Sequence, residues 1–145
     1  MRRASIRLST VAIVLALGAG FTQPSAEVRE LGQTCRADAA SMARLELLFG
    51  TSRRDGPPIT EEEWASFLDA EVTPRFPDGL TVLSGLGQWR GNDGILTKER
   101  SIVLVIWYTP SARSDTDIEA IRSAYKQRFN QQSVMRVDSV SCVSF

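Results

Sequence analysis

The sequence predicts an α+β fold with one sheet, and three observations carry that expectation. Two stretches of helical periodicity, each behind a capping residue, are separated by two strand-like runs joined through the turn signal Asn92-Asp93-Gly94. The run from Ile102 to Tyr108 is apolar at every position, which suits a central strand covered on both faces. Strand, helix, strand, strand, helix, strand is the order of the ferredoxin-like split βαβ arrangement (β-α-β-β-α-β). That arrangement has a four-stranded antiparallel sheet of spatial order 4-1-3-2 with both helices on one face. It would bring Cys142 on the last strand close to Cys35 before the first.

The first strand is expected from about Ala43 to Phe49, where Leu45, Leu47 and Phe49 alternate with Arg44 and Glu46 until Gly50. After the loop Asp55-Gly56-Pro57-Pro58, Thr60 and Glu63 form a capping box, and Glu61 and Glu62 sit in the positive first turn of a helix. Trp64, Phe67, Leu68 and Val72 share one face of this helix, and Pro74 ends it. The second strand is expected from Leu80 to about Arg90, with Gly85 and Gly87 marking a bulge or a close backbone approach. The third, Ile102 to Tyr108, stops at Thr109-Pro110. Ser114 or Asp115 is expected to cap the second helix, whose buried stripe is Ile118, Ile121, Tyr125 and Phe129. Arg122, Lys126 and Arg128 lie toward its negative end. The last strand covers about Val134 to Phe145. Met135 and Val137 face one way and Val140 and Cys142 the other, a phase change that implies a bulge near Asp138 or Ser139.

The 145 residues, 43% apolar and 23% charged, fit one globular domain. Residues 1 to 26 differ from the rest. Arg2, Arg3 and Arg7 precede an apolar run from Val11 to Leu17, followed by Gly18, Ala19 and Gly20 and by Pro24-Ser25-Ala26, the layout of a secretory signal peptide with cleavage after Gly20 or, favoured here, after Ala26. An apolar core of about 10 residues is too short to span a bilayer, so no stable membrane insertion is expected after cleavage. The expected organisation is a signal peptide over 1–26, an N-terminal segment over 27–41 and a single domain over 42–145. Removing the three arginines of residues 1 to 26, which hold no acid, leaves 14 basic against 17 acidic residues. Without a basic footprint, nucleic-acid binding is not expected.

The absence of histidine excludes Ser-His-Asp and Cys-His catalysis as well as histidine metal sites. No metal site and no cofactor is expected. The Glu61-Glu62-Glu63 run is explained by helix N-terminal electrostatics, since consecutive helical residues point in different directions. Two cysteines in an exported chain read as a disulfide, Cys35 to Cys142. The chain is therefore expected to be periplasmic or secreted.

Thr73-Pro74-Arg75-Phe76 is the stiffest segment of the chain, because two prolines flank a cation and an aromatic. Together with Leu48-Phe49-Gly50, Glu62-Glu63-Trp64, Pro77-Asp78-Gly79-Leu80-Thr81 and Gly87-Gln88-Trp89, it resembles the bacterial family catalogued as domain of unknown function 3574 over about residues 43 to 145. The resemblance implies no activity. From the residues themselves, Arg75 could hold a carboxylate or phosphate of a small anionic ligand, or could clamp the end of its own helix. Phe76, Trp89, Trp107 and Tyr108 complete the ligand-binding candidates. In the third strand Val103, Val105 and Trp107 share a face opposite Ile102, Leu104, Ile106 and Tyr108. An apolar open sheet face needs cover, for which a second copy is expected: a homodimer, sheet to sheet.

Two functions follow from these residues. The first is a non-catalytic binding or interaction module of the cell envelope, engaging an unknown protein or a small anion. The alternative is a cofactor-independent enzyme of dimeric α+β barrel type. In that reading Arg75 stabilises charge and Glu71, Asp78 or Tyr108 carries protons.

Overall fold

Alternating apolar residues in the first strand pack onto the fully apolar third strand, and this pairing organises the sheet. The computed structural model describes residues 34–53 and 55–145; the expected signal peptide and residues 27–33 of the 27–41 segment lie outside the described residues. The strands are β1 (Ala40–Gly50), β2 (Thr81–Arg90), β3 (Leu96–Tyr108) and β4 (Met135–Val143). They run antiparallel in the order β2-β3-β1-β4, the expected ferredoxin-like topology. Leu45, Leu47 and Phe49 stand opposite Ile106, Leu104 and Ile102, and all six are buried.

Both helices cover that face. Helix α1 (Glu61–Phe67) opens with the expected capping box: Glu63 N donates to Thr60 Oγ1 at 3.3 Å and Thr60 N to Glu63 Oε2 at 3.0 Å. It contributes Trp64 and Phe67, while α2 (Ser114–Phe129) contributes Ile118, Ile121, Tyr125 and Phe129. An aromatic cluster joins the layers: the Phe49 ring lies 4.5 Å from Tyr125 and 5.1 Å from Trp64, and Phe67 lies 5.1 Å from Tyr125. Such edge-on pairs add about 0.5–1.5 kcal/mol each beyond the area they bury. The buried Tyr125 hydroxyl donates to Gly50 O at 2.9 Å, satisfying its polar end at the last residue of β1.

Four local expectations are corrected. Neither β2 nor β4 contains a bulge; both pair in unbroken register, Thr81↔Val105 to Arg90↔Leu96 and Ala40↔Val143 to Leu48↔Met135. In β2 the expected alternative, close approach, holds at Gly87, where a Cβ would sit 3.1 Å from Ser101 Cβ, whereas Gly85 has open space around it. In β4 the phase change is resolved by ion pairs. Arg136, on the helix-facing side, reaches Asp115 at 2.7 Å and Glu119 at 2.9 Å on α2, and Asp138 at 2.9 Å. Third, α2 has Arg113 as its N-cap residue without a side-chain cap; Ser114 lies inside the helix and its Oγ accepts from Ser111 N at 2.9 Å. Fourth, α1 does not run regularly to Pro74 but widens into a π-helical turn over Leu68–Val72, with Thr73 N donating to Leu68 O at 2.9 Å. Proline at 74 has no N–H for the Ala70 carbonyl, so the helix cannot continue in α geometry.

β1 and β3 are longer than expected, whereas β4 stops at Val143, short of Phe145. β3 begins at Leu96, and its polar stretch from Thr97 to Arg100 runs past the end of β1. Cys35 and Cys142 form the expected disulfide, with Cα atoms 5.4 Å apart, tying the segment before β1 to β4.

Candidate functional site

The Arg75 loop follows directly from the π turn. Arg75 N and Phe76 N both donate to Val72 O at 3.0 Å, which folds the chain back under the helix end. The Arg75 guanidinium turns toward the same end: Nη1 donates to Glu71 O at 2.5 Å and to Glu71 Oε2 at 3.0 Å. A cation on the C-terminal carbonyls complements the helix dipole and supplies a donor to an end carbonyl. Phe76 is buried, edge-on to the Tyr108 ring at 5.4 Å. Arg75, Phe76, Trp107 and Tyr108 thus come together around a small cleft of about 140 Å³, which Asp78 and Asp117 also line. The Tyr108 hydroxyl is held above the usual phenol range, first by burial and then by the Asp138 carboxylate.

Trp89 is not part of that cluster. It lines a groove of about 720 Å³ at the other end of the sheet, and the strand lengths create this groove. β1 stops at Gly50, opposite Ser101, whereas β2 and β3 continue together to the Arg90↔Leu96 pair. The resulting two-stranded arm overhangs the core. Its tip is a tight turn in which Gly91 N donates to Ile95 O at 3.0 Å and Gly94 adopts φ 78°, a conformation glycine reaches without strain. Opposite the arm, Asn130 ends α2 in the left-handed conformation, φ 53°, and starts the loop leading to β4.

Polar side chains hold the two walls. Gln132 Oε1 accepts from Asn92 N at 3.2 Å across the groove, and Gln131 Nε2 donates to Ser52 O at 2.7 Å. Glu99 Oε2 accepts from Ser52 N at 2.6 Å, and Asp93 Oδ1 from Ile95 N at 3.0 Å. Arg53 pairs with Glu63 at 2.6 Å. Trp89, 42% exposed, lines the groove with these groups, and Leu48 and Met135 add apolar surface to the same groove. Gly87, Gly50 and Gly91 keep the floor free of side chains; at Gly50 a Cβ would meet the Glu99 carboxylate at 2.6 Å. The Gly87-Gln88-Trp89 run was the signal available in sequence. Asp93, Glu99, Gln131 and Gln132 were not anticipated, because what unites them is the overhang of one strand past another.

The open sheet face carries Leu83, Met135, Val137 and Trp107, all exposed. Arg44 lies over the Trp107 ring at 5.5 Å and pairs with Glu46 at 2.6 Å, covering part of this face from within the chain. Among the described residues, no group of three or more His, Cys, Asp or Glu is placed to hold a metal ion, and no helix is long and apolar enough to cross a membrane.

The fold is similar to that of two solved phage SAM lyase structures. One, in complex with S-methyl-5'-thioadenosine, has a TM-score of 0.57 at 16% identity and covers 79% of this chain and 96% of that chain. The other, in the apo state, has a TM-score of 0.53 at 17% identity and covers 72% of this chain and 90% of that chain. At these identities the likeness concerns the fold. A comparison with curated proteins found no match. The family model described as protein of unknown function (DUF3574) matches residues 44–145, and the chain belongs to that family.

Proposed function

We propose that this protein is an exported, non-catalytic binding module of the cell envelope that seats a small organic ligand in the groove beside Trp89. The observation that carries the reading is the groove itself. Its volume of about 720 Å³ falls within the roughly 300–1,000 Å³ typical of small-molecule sites, and it combines an exposed aromatic with convergent polar groups. Binding is favoured over catalysis because Asp93 and Glu99 are already committed to backbone amides and the sequence offers no histidine to partner them. Export is supported by the signal-like residues 1 to 26 and by the Cys35–Cys142 disulfide, a bond suited to oxidising compartments. The Arg75 loop serves as a helix-end clamp in this account, and the exposed Leu83, Trp107 and Val137 form the face of a homodimer. Two measurements test export and assembly. Cell fractionation should place the protein outside the cytoplasm, and light scattering at micromolar concentration should give twice the monomer mass; cytoplasmic retention or a monomer contradicts the respective part.

A second reading, catalysis, has one observation in its favour: the fold resemblance to phage SAM lyases, one of them bound to S-methyl-5'-thioadenosine. Incubating the protein with SAM and analysing the products by mass spectrometry decides this point. Turnover lost in Trp89→Ala or Tyr108→Phe would establish the enzyme reading, and no product above the uncatalysed background leaves the binding module.

A further inference from the structure

Resting on the groove as the binding site, we infer that its ligand class is a neutral, hydroxyl-rich molecule, a saccharide of two or more rings. Charge is the first argument. Asp93 and Glu99 line the groove, and its one arginine, Arg53, is held by Glu63 at 2.6 Å, so a phosphate or carboxylate would face uncompensated negative charge. Hydrogen-bond complementarity is the second. A sugar hydroxyl both donates and accepts, and the groove offers both functions. Each carboxylate engages one backbone N–H and retains acceptor positions, while Gln132 uses its carbonyl oxygen on Asn92 N and keeps its amide N–H pair. Ser101 and Thr97 add hydroxyls to the same surface.

The third argument is shape. Trp89 alone is aromatic among the described residues lining the groove, so a ring docked there meets one indole face and has no second aromatic opposite it. A flat heteroaromatic base gains most from being sandwiched. A sugar ring needs a single platform for its C–H face, with its hydroxyl rim pointing toward polar walls, which is the arrangement here. The volume accommodates more than one ring. The glycines lining the groove leave room for the second ring, whereas a side chain at Gly87 would meet Ser101.

The test is a ¹H–¹⁵N titration that follows the three tryptophan indole resonances of the purified protein, using maltose, cellobiose, trehalose and N,N′-diacetylchitobiose as probes, with adenosine and choline for comparison. The expected result is a saturable shift of the Trp89 indole with at least one disaccharide at a Kd of about 1 mM or tighter, and no such shift with adenosine or choline. Trp89→Ala should abolish sugar-induced backbone shifts around Gln131 and Gln132. Asp93→Asn should weaken binding about tenfold, a change of the size expected for one hydrogen bond to a charged group. Shifts at Trp89 with adenosine or choline and none with sugars would overturn the ligand class while keeping the groove as a site. No shift at Trp89 with any probe would overturn the class, and with it the groove assignment if a ligand found by other means perturbs a different surface.

Discussion

Arg75 shows how much of a conspicuous motif can be explained by the backbone around it. Two prolines stiffen its loop, yet its guanidinium is turned onto Glu71, where it closes the helix end that Pro74 cut short. Replacing Arg75 by Ala should therefore cost about 1 kcal/mol, the sum expected of one backbone acceptor and one half-exposed ion pair. In a thermal melt this appears as a drop of a few degrees, with groove binding unchanged. Unchanged stability together with lost binding would return Arg75 to the list of ligand contacts. Tyr125→Phe is a sharper probe of the core. It removes the hydroxyl from the Gly50 carbonyl while keeping the ring, so a loss of about 1–2 kcal/mol in urea unfolding is expected.

Among the elements, α2 and β4 are joined by charge where the other contacts of the core are apolar. Glu119 is held below the usual carboxylate range, first by its hydrogen bonds to Arg122 and then by Arg136. Because the folded value lies below the unfolded one, this contribution is complete above the unfolded pKa of about 4.3 and is lost as pH falls through the folded value. Glu119 is 45% exposed, so solvent screens the effect. Melting temperatures measured from neutral to acidic pH should fall less steeply for Glu119→Gln than for the parent protein below about pH 4.3. Parallel curves would show that the network adds nothing in solution. The same cluster accounts for the misleading phase change in β4. Val140 and Cys142 lie on the helix-facing side but past the cover of α2, with Val140 exposed and Cys142 taken up by the disulfide, so their polarity pattern reports an edge and not a bulge.

For the molecule as a whole, the order of elements was legible because each carries a strong periodic signal. The alternation of Leu45, Leu47 and Phe49, the apolar run to Tyr108 and the stripe from Ile118 to Phe129 all read directly onto the sheet and its helices. The disulfide was legible because topology and cysteine placement agree. The groove was not, since it depends on how far β3 extends past Gly50, and the polar residues from Thr97 to Arg100 give no apolar pattern to announce a strand. The π turn was equally hidden, because a shift from i+4 to i+5 bonding leaves no trace in residue spacing. The Cys35–Cys142 bridge closes a separation of 107 residues and fastens edge strand β4 to the segment before β1. Cys142→Ser should lower unfolding free energy by about 2–5 kcal/mol in denaturant titrations without reductant. An unchanged midpoint would mean the bridge adds little beyond the sheet.

If the groove lined by Trp89 is where this protein meets its ligand, a thermal-shift screen of a small-molecule library on parent protein and Trp89→Ala will reveal it. Compounds are expected that raise the melting temperature of the parent and lose that effect in Trp89→Ala, whose own melting temperature stays close to the parent's because Trp89 is exposed. Compounds that stabilise both proteins equally would place the binding site away from Trp89.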